Sequence, residues 1–290
     1  MSISDSASLA IRPLNTWDEY LAAEELQRVV WQMPDWRDAV PANLLITAQK
    51  NGGLVLGSFD GARLAGLCFS FVGLDRHLDP PALKQCSHML AVLPEYQSRK
   101  LGVHLKLAQR ELTRAQQIAL ITWTYDPLLA LNANLNLVRL GAIARRYIEN
   151  AYGEMSDMLN AGLASDRFEV EWWLDSPRVV ACAASQVARV NWESAQRAGA
   201  RAIFEIAWDA HQLPRIQHEH ALDGPALLVE IPGDLAALKS RAPDLARDWR
   251  ARTRSVFQRA FAAGYVATNF VLGTDPALRR AAYLLTQETV

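Results

Sequence analysis

Hydrophobic and polar residues follow two different periods along this chain. Between residues 54 and 71, two extended apolar runs flank Asp60-Gly61, a dipeptide that favours a tight hairpin turn. Farther along, apolar residues recur at spacings of 4, 3, 4 and 3: Leu101, Leu105, Ala108, Leu112 and Ala115. The first pattern predicts an antiparallel hairpin, and the second predicts an amphipathic helix over 101–117.

The same reasoning gives an order of elements for the whole chain. The predicted strands are 9–13, 54–59, 63–71, 85–93, 119–125, 168–174, 202–208, 226–231 and 265–271. The predicted helices are 17–32, one that starts at Pro41, 101–117, 127–140, 179–198 and 244–263. Strand–helix–strand order between 85 and 125 implies a parallel pair, whereas the opening hairpin is antiparallel. We therefore predict an α/β protein of the α+β-like kind, with a mixed sheet.

A polar stretch at 164–167 is the predicted seam between two domains. Residues 1–164 form the first domain, and residues 165–290 form a second, smaller α/β domain. In the second domain a helix ending at Gly264 precedes a strand. The hypothesis that this domain is a degenerate second copy of the first fold is left open.

Composition narrows the classes of function. Lys and Arg number 30 against 31 for Asp and Glu, so no strong field attracts the chain to nucleic acid or to an anionic membrane. No run of about 18 apolar residues predicts a membrane span. Three widely separated cysteines, Cys68, Cys86 and Cys182, indicate neither a disulfide framework nor a CxxC metal site and fit a reducing cytoplasm. His218-Glu219-His220 lacks a third ligand and is interpreted as a solvated loop, so no metal is predicted.

The stretch from Val92 to His104 carries the clearest chemical signal. An apolar run breaks at Pro94, a polar turn follows, and a basic segment with Gly102 opens the amphipathic helix. A strand, a tight loop and a helix N-terminus together direct unpaired backbone N–H groups at one point, which attracts an anion such as a phosphate. Gly102 allows close approach of the backbone, and Arg99 and Lys100 add positive charge.

This segment resembles the acyl-CoA-binding motif of the GNAT N-acetyltransferase superfamily, Gln/Arg-x-x-Gly-x-Gly/Ala. Arg99 and Gly102 match the pattern, whereas His104 stands where the family has a small residue. Together with the element order, the resemblance covers roughly residues 8–160 and implies a GNAT-like acyltransferase fold that binds acetyl-CoA or another acyl-CoA. The cofactor-binding residues that it implies are Leu90, Ala91, Val92, Gln97, Ser98, Arg99, Lys100, Leu101, Gly102, Val103 and His104.

A second stretch, 123–142, resembles the superfamily's following motif. Asn132 and Asn136 share a helix face and could contact the cofactor, or they could be capping or solvated residues. Leu137 occupies the position of the tyrosine that commonly protonates the departing thiolate. The identity of the general acid is therefore open.

Amine acylation needs a base near the reacting atoms, and a substitute acid must be found. The candidate catalytic residues are His88, Tyr125 and Asp126; Glu154 and Asp157 are further candidate bases, and Tyr147 and Tyr152 further candidate acids. Cys86 and His88 alternate onto one strand face, so an acyl-enzyme is an alternative to direct transfer.

The sequence thus supports two hypotheses. The first is an acyl-CoA-dependent N-acyltransferase that acts on a small-molecule or peptide amine by direct transfer. The second is a CoA-binding or sensing protein without transferase activity, which Leu137 and His104 favour. A Rossmann dinucleotide enzyme is poorly supported, since no GxGxxG follows the first strand. A homodimer is left open.

Overall fold

The computed structural model describes residues 9–33, 36–153, 162–274 and 280–287. The chain divides into two units, Met1–Trp123 and Thr124–Val290. The predicted domain boundary at 164/165 lies within the second unit and remains a prediction. Among the described residues, no helix is both long enough and apolar enough to cross a membrane.

Among its described residues, the first unit has five neighbouring strands of a mixed sheet and three α-helices. Its elements are β1 (Ala10–Pro13), α1 (Trp17–Trp31), α2 (Ala42–Lys50), β2 (Leu54–Asp60), β3 (Arg63–Asp75), β4 (Ala82–Val92), a 3-10 helix (Pro94–Arg99), α3 (Leu101–Ala115) and β5 (Leu120–Tyr125). The strand order is β1-β2-β3-β4-β5, in which β5 extends two residues past Trp123. Neighbours pair antiparallel except β4 and β5, which are parallel. The predicted mixed α/β sheet is therefore confirmed.

A glycine in β3 lets α3 lie close to the sheet. A Cβ at Gly66 would stand 3.0 Å from Cδ1 of Leu105 and 3.2 Å from the carbonyl oxygen of Ala91. These distances are tighter than ordinary van der Waals contact, so a side chain at this position would push the helix away. Leu101 and Leu105 are fully buried against β3, which fixes the first turns of α3 beside the end of β4.

The second unit holds the remaining elements. They are α4 (Ala130–Ala133), a π-helical segment (Asn134–Arg139), β6 (Ile143–Ile148), β7 (Arg167–Trp173), α5 (Pro177–Ala183), α6 (Trp192–Arg197), β8 (Arg201–Ala202), β9 (Phe204–Trp208), β10 (Pro214–Glu219), β11 (Ala226–Ile231), α7 (Leu235–Arg241), α8 (Pro243–Ala262), β12 (Val266–Leu272) and β13 (Ala281–Thr286). Its sheet has the order β7-β6-β12-β13-β11-β8, and β9 and β10 form a separate hairpin.

Several predictions for the second unit were wrong in detail. The helix predicted over 179–198 is two short helices, because Asn191 and Ser194 form a capping box that starts α6 anew. The helix predicted from Pro127 begins at Ala130, since the Asp126 side chain caps a turn through the N–H of Leu128. The strand predicted over 202–208 is divided between β8 and β9.

Three strands, β6, β10 and β13, and one helix, α7, were missed. His218 and Glu219 belong to β10, so the interpretation of this segment as a loop was wrong. Among the described residues, no group of three His, Cys, Asp or Glu side chains could hold a metal ion.

A helix–glycine–strand–strand order occurs twice in the second unit. Gly141, with φ of 71°, ends the π-helical segment before β6 and β7, and Gly264, with φ of 84°, ends the helix before β12 and β13. Both strand pairs are antiparallel, and β6 and β12 meet at Ala144 and Ala267. The predicted degenerate second copy of the fold remains a prediction, and this repeated order favours it.

An aromatic cluster fills the core of the second unit around Phe168. The Phe168 ring is fully buried, and four of its edge or tilted ring contacts have centroids 4.7 to 5.8 Å away. The partners in those contacts are Tyr147, Phe257, Phe261 and Tyr283. One side chain therefore joins β6, α8 and β13.

We expect Phe168→Ala to lower the free energy of unfolding of the second unit by about 3–5 kcal/mol, because it removes these contacts and leaves a cavity. Chemical denaturation followed by tryptophan fluorescence measures the loss. Leu272→Ala, at a half-exposed position of β12, is the matched control and should cost much less. Equal effects of the two variants would contradict the central position of Phe168.

Candidate functional site

The parallel pairing of β4 with β5 stops soon after it begins. Only two residue pairs are in register, Gln85 with Ile121 and Cys86 with Thr122. Beyond them β4 continues for six residues to Val92, and within the described part of the chain no residue of β5 pairs with those six. One edge of β4 is thus open from Ser87 to Val92, and its backbone groups face a gap between two diverging strands.

A β-bulge marks the place where the strands diverge. In the ladder with β3, Met89 lies opposite Phe69 and Ser87 lies opposite Ser70, so His88 is the extra residue. A bulge bends its strand and can end pairing on the other side. It also separates the environments of two neighbours, because His88 contacts the rings of Phe69 and Phe71 while Ser87 faces α3.

The loop after β4 is held by an aromatic anchor. The buried Tyr96 donates its hydroxyl hydrogen to Asp60 Oδ2 at 2.8 Å, and the Arg99 guanidinium lies 5.0 Å from the centroid of its ring. Arg63 lies over the same ring at 5.7 Å and forms an ion pair with Glu95. These contacts fix the 3-10 helix against the β2–β3 hairpin.

The N-terminus of α3 fits an anion. Its N-cap residue, Lys100, has a left-handed φ of 56° and no side-chain capping hydrogen bond, and the first turn contains no acidic residue. Arg99 and Lys100 are exposed beside it. The first N–H groups of a helix have no acceptor within the helix and carry positive partial charge, so they can bind an anion together with these two cations.

Space above this turn is kept open at Gly102. A Cβ there would meet only Cδ2 of Leu90, at an ordinary contact distance of 3.6 Å. The fold itself therefore does not require glycine at this position, whereas close approach of a ligand to the backbone does. His104, which departs from the motif, is exposed on α3.

The other predicted cofactor residues of the first unit lie along the same path. Leu90, Ala91 and Val92 line the open edge of β4, and Gln97 Nε2 donates to the carbonyl oxygen of Val92 at 3.2 Å. Ser98 is in the 3-10 helix, and Leu101 and Val103 are in the first turn of α3. The predicted residues from 88 to 104 thus lie in the last part of β4, in the 3-10 helix and in the first turn of α3.

His88 is the predicted base in this unit. Its side chain is solvent-exposed on one side, yet the surrounding protein desolvates it and lowers the pKa of its imidazole below the ordinary value of 6.5. A lowered pKa leaves His88 neutral and able to accept a proton at neutral pH.

Two further predicted catalytic residues, Tyr125 and Asp126, belong to the second unit. Tyr125 is buried, and burial raises the pKa of its phenol, which disfavours ionisation. Asp126 is also buried, and both its oxygens already accept hydrogen bonds: Oδ1 from the N–H of Leu128 at 2.8 Å and Oδ2 from the Arg250 guanidinium. These partners give Asp126 a structural function, and its catalytic function remains a prediction.

The remaining candidates of the second unit are dispersed. Asn132 is half-buried in α4, and Asn136 and Leu137 are buried in the π-helical segment. The Tyr147 hydroxyl donates to Asp166 Oδ2 at 2.6 Å, and the Tyr152 hydroxyl bonds with the hydroxyl of Thr124 at 2.7 Å. Glu154 and Asp157 lie outside the described residues.

Sequence reasoning missed a buried polar cluster beneath the gap. Lys106 of α3 is 3% exposed, and its Nζ donates to Ser87 Oγ at 3.0 Å and to Gln109 Oε1 at 2.8 Å. The same Nζ lies 3.8 Å from the centroid of the Trp123 ring, and the Cys68 thiol is close enough to interact with its charge. A signal was present, because Lys106, Gln109 and Thr113 recur at spacings of 3 and 4 as a second stripe beside the apolar one.

Burial changes the ionisation of this cluster. Desolvation lowers the pKa of Lys106 from 10.5 to about 8 and raises the pKa of the Cys68 thiol. The amine can therefore exchange a proton near neutral pH, while the thiol stays protonated.

A cavity of about 300 Å³ also occurs in the second unit, at the end of β11. Trp208, Pro232 and Arg241 are among the residues that line it. It contains none of the site residues that the sequence predicts.

No protein-family model and no curated protein sequence matches the chain. Solved structures similar to it include several acetyltransferases, among them members of the GNAT family. They include the ribosomal-protein-S18-alanine N-acetyltransferase of Escherichia coli, with 16% identity, 56% of this chain and 92% of that chain covered, and a TM-score of 0.43. A GNAT-family acetyltransferase of Streptococcus pneumoniae has 16% identity over 57% of this chain and 98% of its own, with a TM-score of 0.44. The protein yncA of Salmonella typhimurium, solved with acetyl-CoA, has 18% identity over 59% of this chain and 96% of its own, with a TM-score of 0.44. At these values the likeness describes the course of the backbone and carries no argument about activity.

The ionisation of Lys106 predicts how stability changes with pH. The folded state releases the Lys106 proton near pH 8, whereas the unfolded chain keeps it to about pH 10.5, so this residue makes the free energy of unfolding rise between those values. The rise should be about 3 kcal/mol. Denaturation at a series of pH values should show it in the wild type and not in Lys106→Met. The same slope in both proteins would contradict the lowered pKa.

Proposed function

We propose that this chain is an acyl-CoA-dependent N-acyltransferase of the GNAT type, which transfers an acyl group directly to a small-molecule or peptide amine. One observation carries the proposal: the open edge of β4 leads directly to the uncapped, basic N-terminus of α3. A ligand that combines a long extended arm with a pyrophosphate fits both features at once. Acyl-CoA is such a ligand.

The residues of the first unit offer suitable contacts for each part of that ligand. Backbone groups of Leu90 to Val92, on the side of β4 where no described residue of β5 pairs, can bond an extended pantetheine arm as a neighbouring strand would. The N–H groups around Gly102, with Arg99 and Lys100, can bind the pyrophosphate. The function of Ser98, Asn132 and Asn136 as further contacts remains a prediction.

Acyl-CoA supplies an activated thioester, and the protein must orient it and manage protons. A backbone N–H of the open edge can polarise the thioester oxygen. His88, neutral at physiological pH and placed on the bulge, is suited to take a proton from the incoming ammonium, directly or through water. An acyl-enzyme formed by Cys86 with His88 as its base remains an alternative prediction.

Isothermal titration calorimetry with acetyl-CoA tests the proposal. We expect saturable 1:1 binding in the micromolar range, weakened by salt because part of the affinity comes from charge. No heat of binding at high micromolar ligand would overturn the proposal.

A second candidate function is CoA binding without transfer. It is favoured by the buried Leu137, which occupies the position of the tyrosine that commonly acts as the acid. Release of free CoA, monitored with a thiol reagent against a library of amines, distinguishes the two. Turnover with any amine excludes the non-catalytic function, and binding without turnover across the library supports it.

We expect Gly102→Ala to weaken acetyl-CoA binding by about tenfold or more, since the added methyl group occupies the space above the helix N-terminus. The same change should leave the fold intact or stabilise it by up to about 1 kcal/mol, because alanine is the better helix former. Calorimetry and thermal unfolding of the variant measure the two effects.

Leu112→Ala is the control for this experiment, because Leu112 lies near the other end of α3 and is 37% exposed. It should keep wild-type affinity. Unchanged binding by Gly102→Ala would exclude an anion site at this turn, whereas loss of binding together with loss of stability would show that the variant is misfolded.

A further inference from the structure

A buried amine stands at the closed end of the gap between β4 and β5. Ser87 directly follows the last paired residue of β4, and Trp123 directly follows the last paired residue of β5. Lys106 Nζ contacts both, with 3.0 Å to Ser87 Oγ and 3.8 Å to the centroid of the Trp123 ring. The amine therefore lies where the two strands separate, on the face of the sheet that α3 covers.

The length of the open edge of β4 determines how far a bound acyl-CoA arm can reach towards Lys106. From Val92, beside the proposed anion site, back to Ser87 the open edge is six residues long, and its five Cα–Cα steps span about 17 Å of extended chain. If the proposed function is correct, the arm of acyl-CoA lies along this edge. It can extend no farther than the paired residues Cys86 and Thr122, so its thioester end is beside the closed end.

We infer that Lys106 is the acid that protonates the departing thiolate of CoA, a function that rests on the proposed acyl transfer. In this step the acceptor nitrogen forms a bond to the acyl carbon, and the carbon–sulfur bond breaks with its electron pair on sulfur. The acceptor attacks as a neutral amine, after His88 has taken the proton of its ammonium and passed it to solvent. As the amide forms, the nitrogen gives its second proton to His88, and the Lys106 ammonium gives a proton to the sulfur. Solvent then restores the proton to Lys106 and removes the one on His88.

The surroundings of Lys106 suit an acid. Desolvation has lowered the pKa of its ammonium to about 8, near the ordinary value of a thiol, so proton transfer between them is nearly balanced. Ser87 Oγ and Gln109 Oε1 hold the amine in place. The titratable groups on the neighbouring strands include the Cys68 thiol of β3, which burial keeps protonated, and His88 of β4, whose imidazole lies on the other face of the sheet.

Acid and base then approach from opposite faces of one sheet. Lys106 lies on the α3 face with Ser87, whereas the extra residue of the bulge, His88, packs against Phe69 and Phe71 on the other face. A thioester in the plane of the sheet would be reached from both faces. This arrangement also explains how the chain could transfer acyl groups with Leu137 in place of the tyrosine.

The test uses free CoA bound to the protein, so that it does not depend on turnover. The thiolate of bound CoA is followed by its ultraviolet absorbance as the pH is raised, with desulfo-CoA as the blank. In the wild type, the Lys106 ammonium should hold the pKa of the bound thiol below that of free CoA. In Lys106→Met the thiol should titrate at least about one unit higher, a tenfold change in its ionisation at fixed pH.

Three controls make the outcome specific. Arg114→Met removes an exposed cation from the same helix and should leave the titration unchanged. Lys106→Gln is a second neutral variant in case Lys106→Met does not fold. In the wild type, isotope-labelled lysine observed by NMR should show a higher pKa for Lys106 with CoA than with desulfo-CoA, since the linkage is reciprocal.

With a reactive amine as substrate, Lys106→Met should lower kcat by about 100-fold or more and change KM little. It should also remove the decrease in kcat that the wild type shows as the pH rises through about 8, where Lys106 loses its proton. Failure of the wild type to bind CoA would overturn the proposed function and this inference together. Binding with the same thiol titration in wild type and Lys106→Met would overturn this inference alone.

Discussion

The early end of the β4–β5 ladder is the constraint on which the candidate site depends. Two parallel strands normally satisfy each other's backbone groups along their whole length, but here the register ends after two pairs. The extra residue at His88 bends β4 at that point and leaves its last six residues with an open edge. An extended ligand can satisfy those groups. The same bend presents His88 on one face and leaves Ser87 on the other, so one irregularity creates both the gap and its closed end.

The buried ammonium of Lys106, on the α3 side of the gap between β4 and β5, lowers the stability of the folded chain. Lys106 is nearly fully buried, and desolvation of its ammonium is opposed by two hydrogen bonds and the face of Trp123. Below about pH 8 the chain keeps this charge in its interior at the expense of stability. Retention of such a group at the point where the strands diverge is the kind of local conflict that marks functional positions.

The second unit is stabilised by different interactions from those that shape the gap in the first unit. Its core is aromatic around Phe168, and its buried charges are paired, as with Asp126 and Arg250 or Asp166 and Arg254. Breaking such a pair by removing one partner leaves an uncompensated buried charge, so these residues hold the fold of the unit. The carboxylate of Asp126 is thereby occupied by its own chain.

Local patterns in the sequence determined most of the first unit. The hairpin at Asp60-Gly61, the stripe that begins at Leu101 and the loop after Pro94 depend on residues close together in the chain, and they predicted β2, β3 and α3 within a few residues. The strand, loop and helix start that meet near Gly102 were predictable for the same reason, since they are consecutive in the chain. In the second unit, the capping box at Asn191 divided a predicted helix, and β13 became a strand by pairing with β11 and β12.

Only the tertiary structure decided how far β4 and β5 pair and which polar residues are buried. Register depends on residues some 36 positions apart, Gln85 and Ile121, and no local pattern encodes where it ends. Lys106 belongs to a polar stripe that the spacing shows beside the apolar one, but a polar stripe can equally face solvent. Only the packing of α3 against Ser87 and Trp123 buries it. The sequence alone therefore determined the loop and helix start at one end of the open edge, because those residues are neighbours in the chain. The fold decided that the Lys106 amine lies at the other end, because its burial depends on residues distant in the chain.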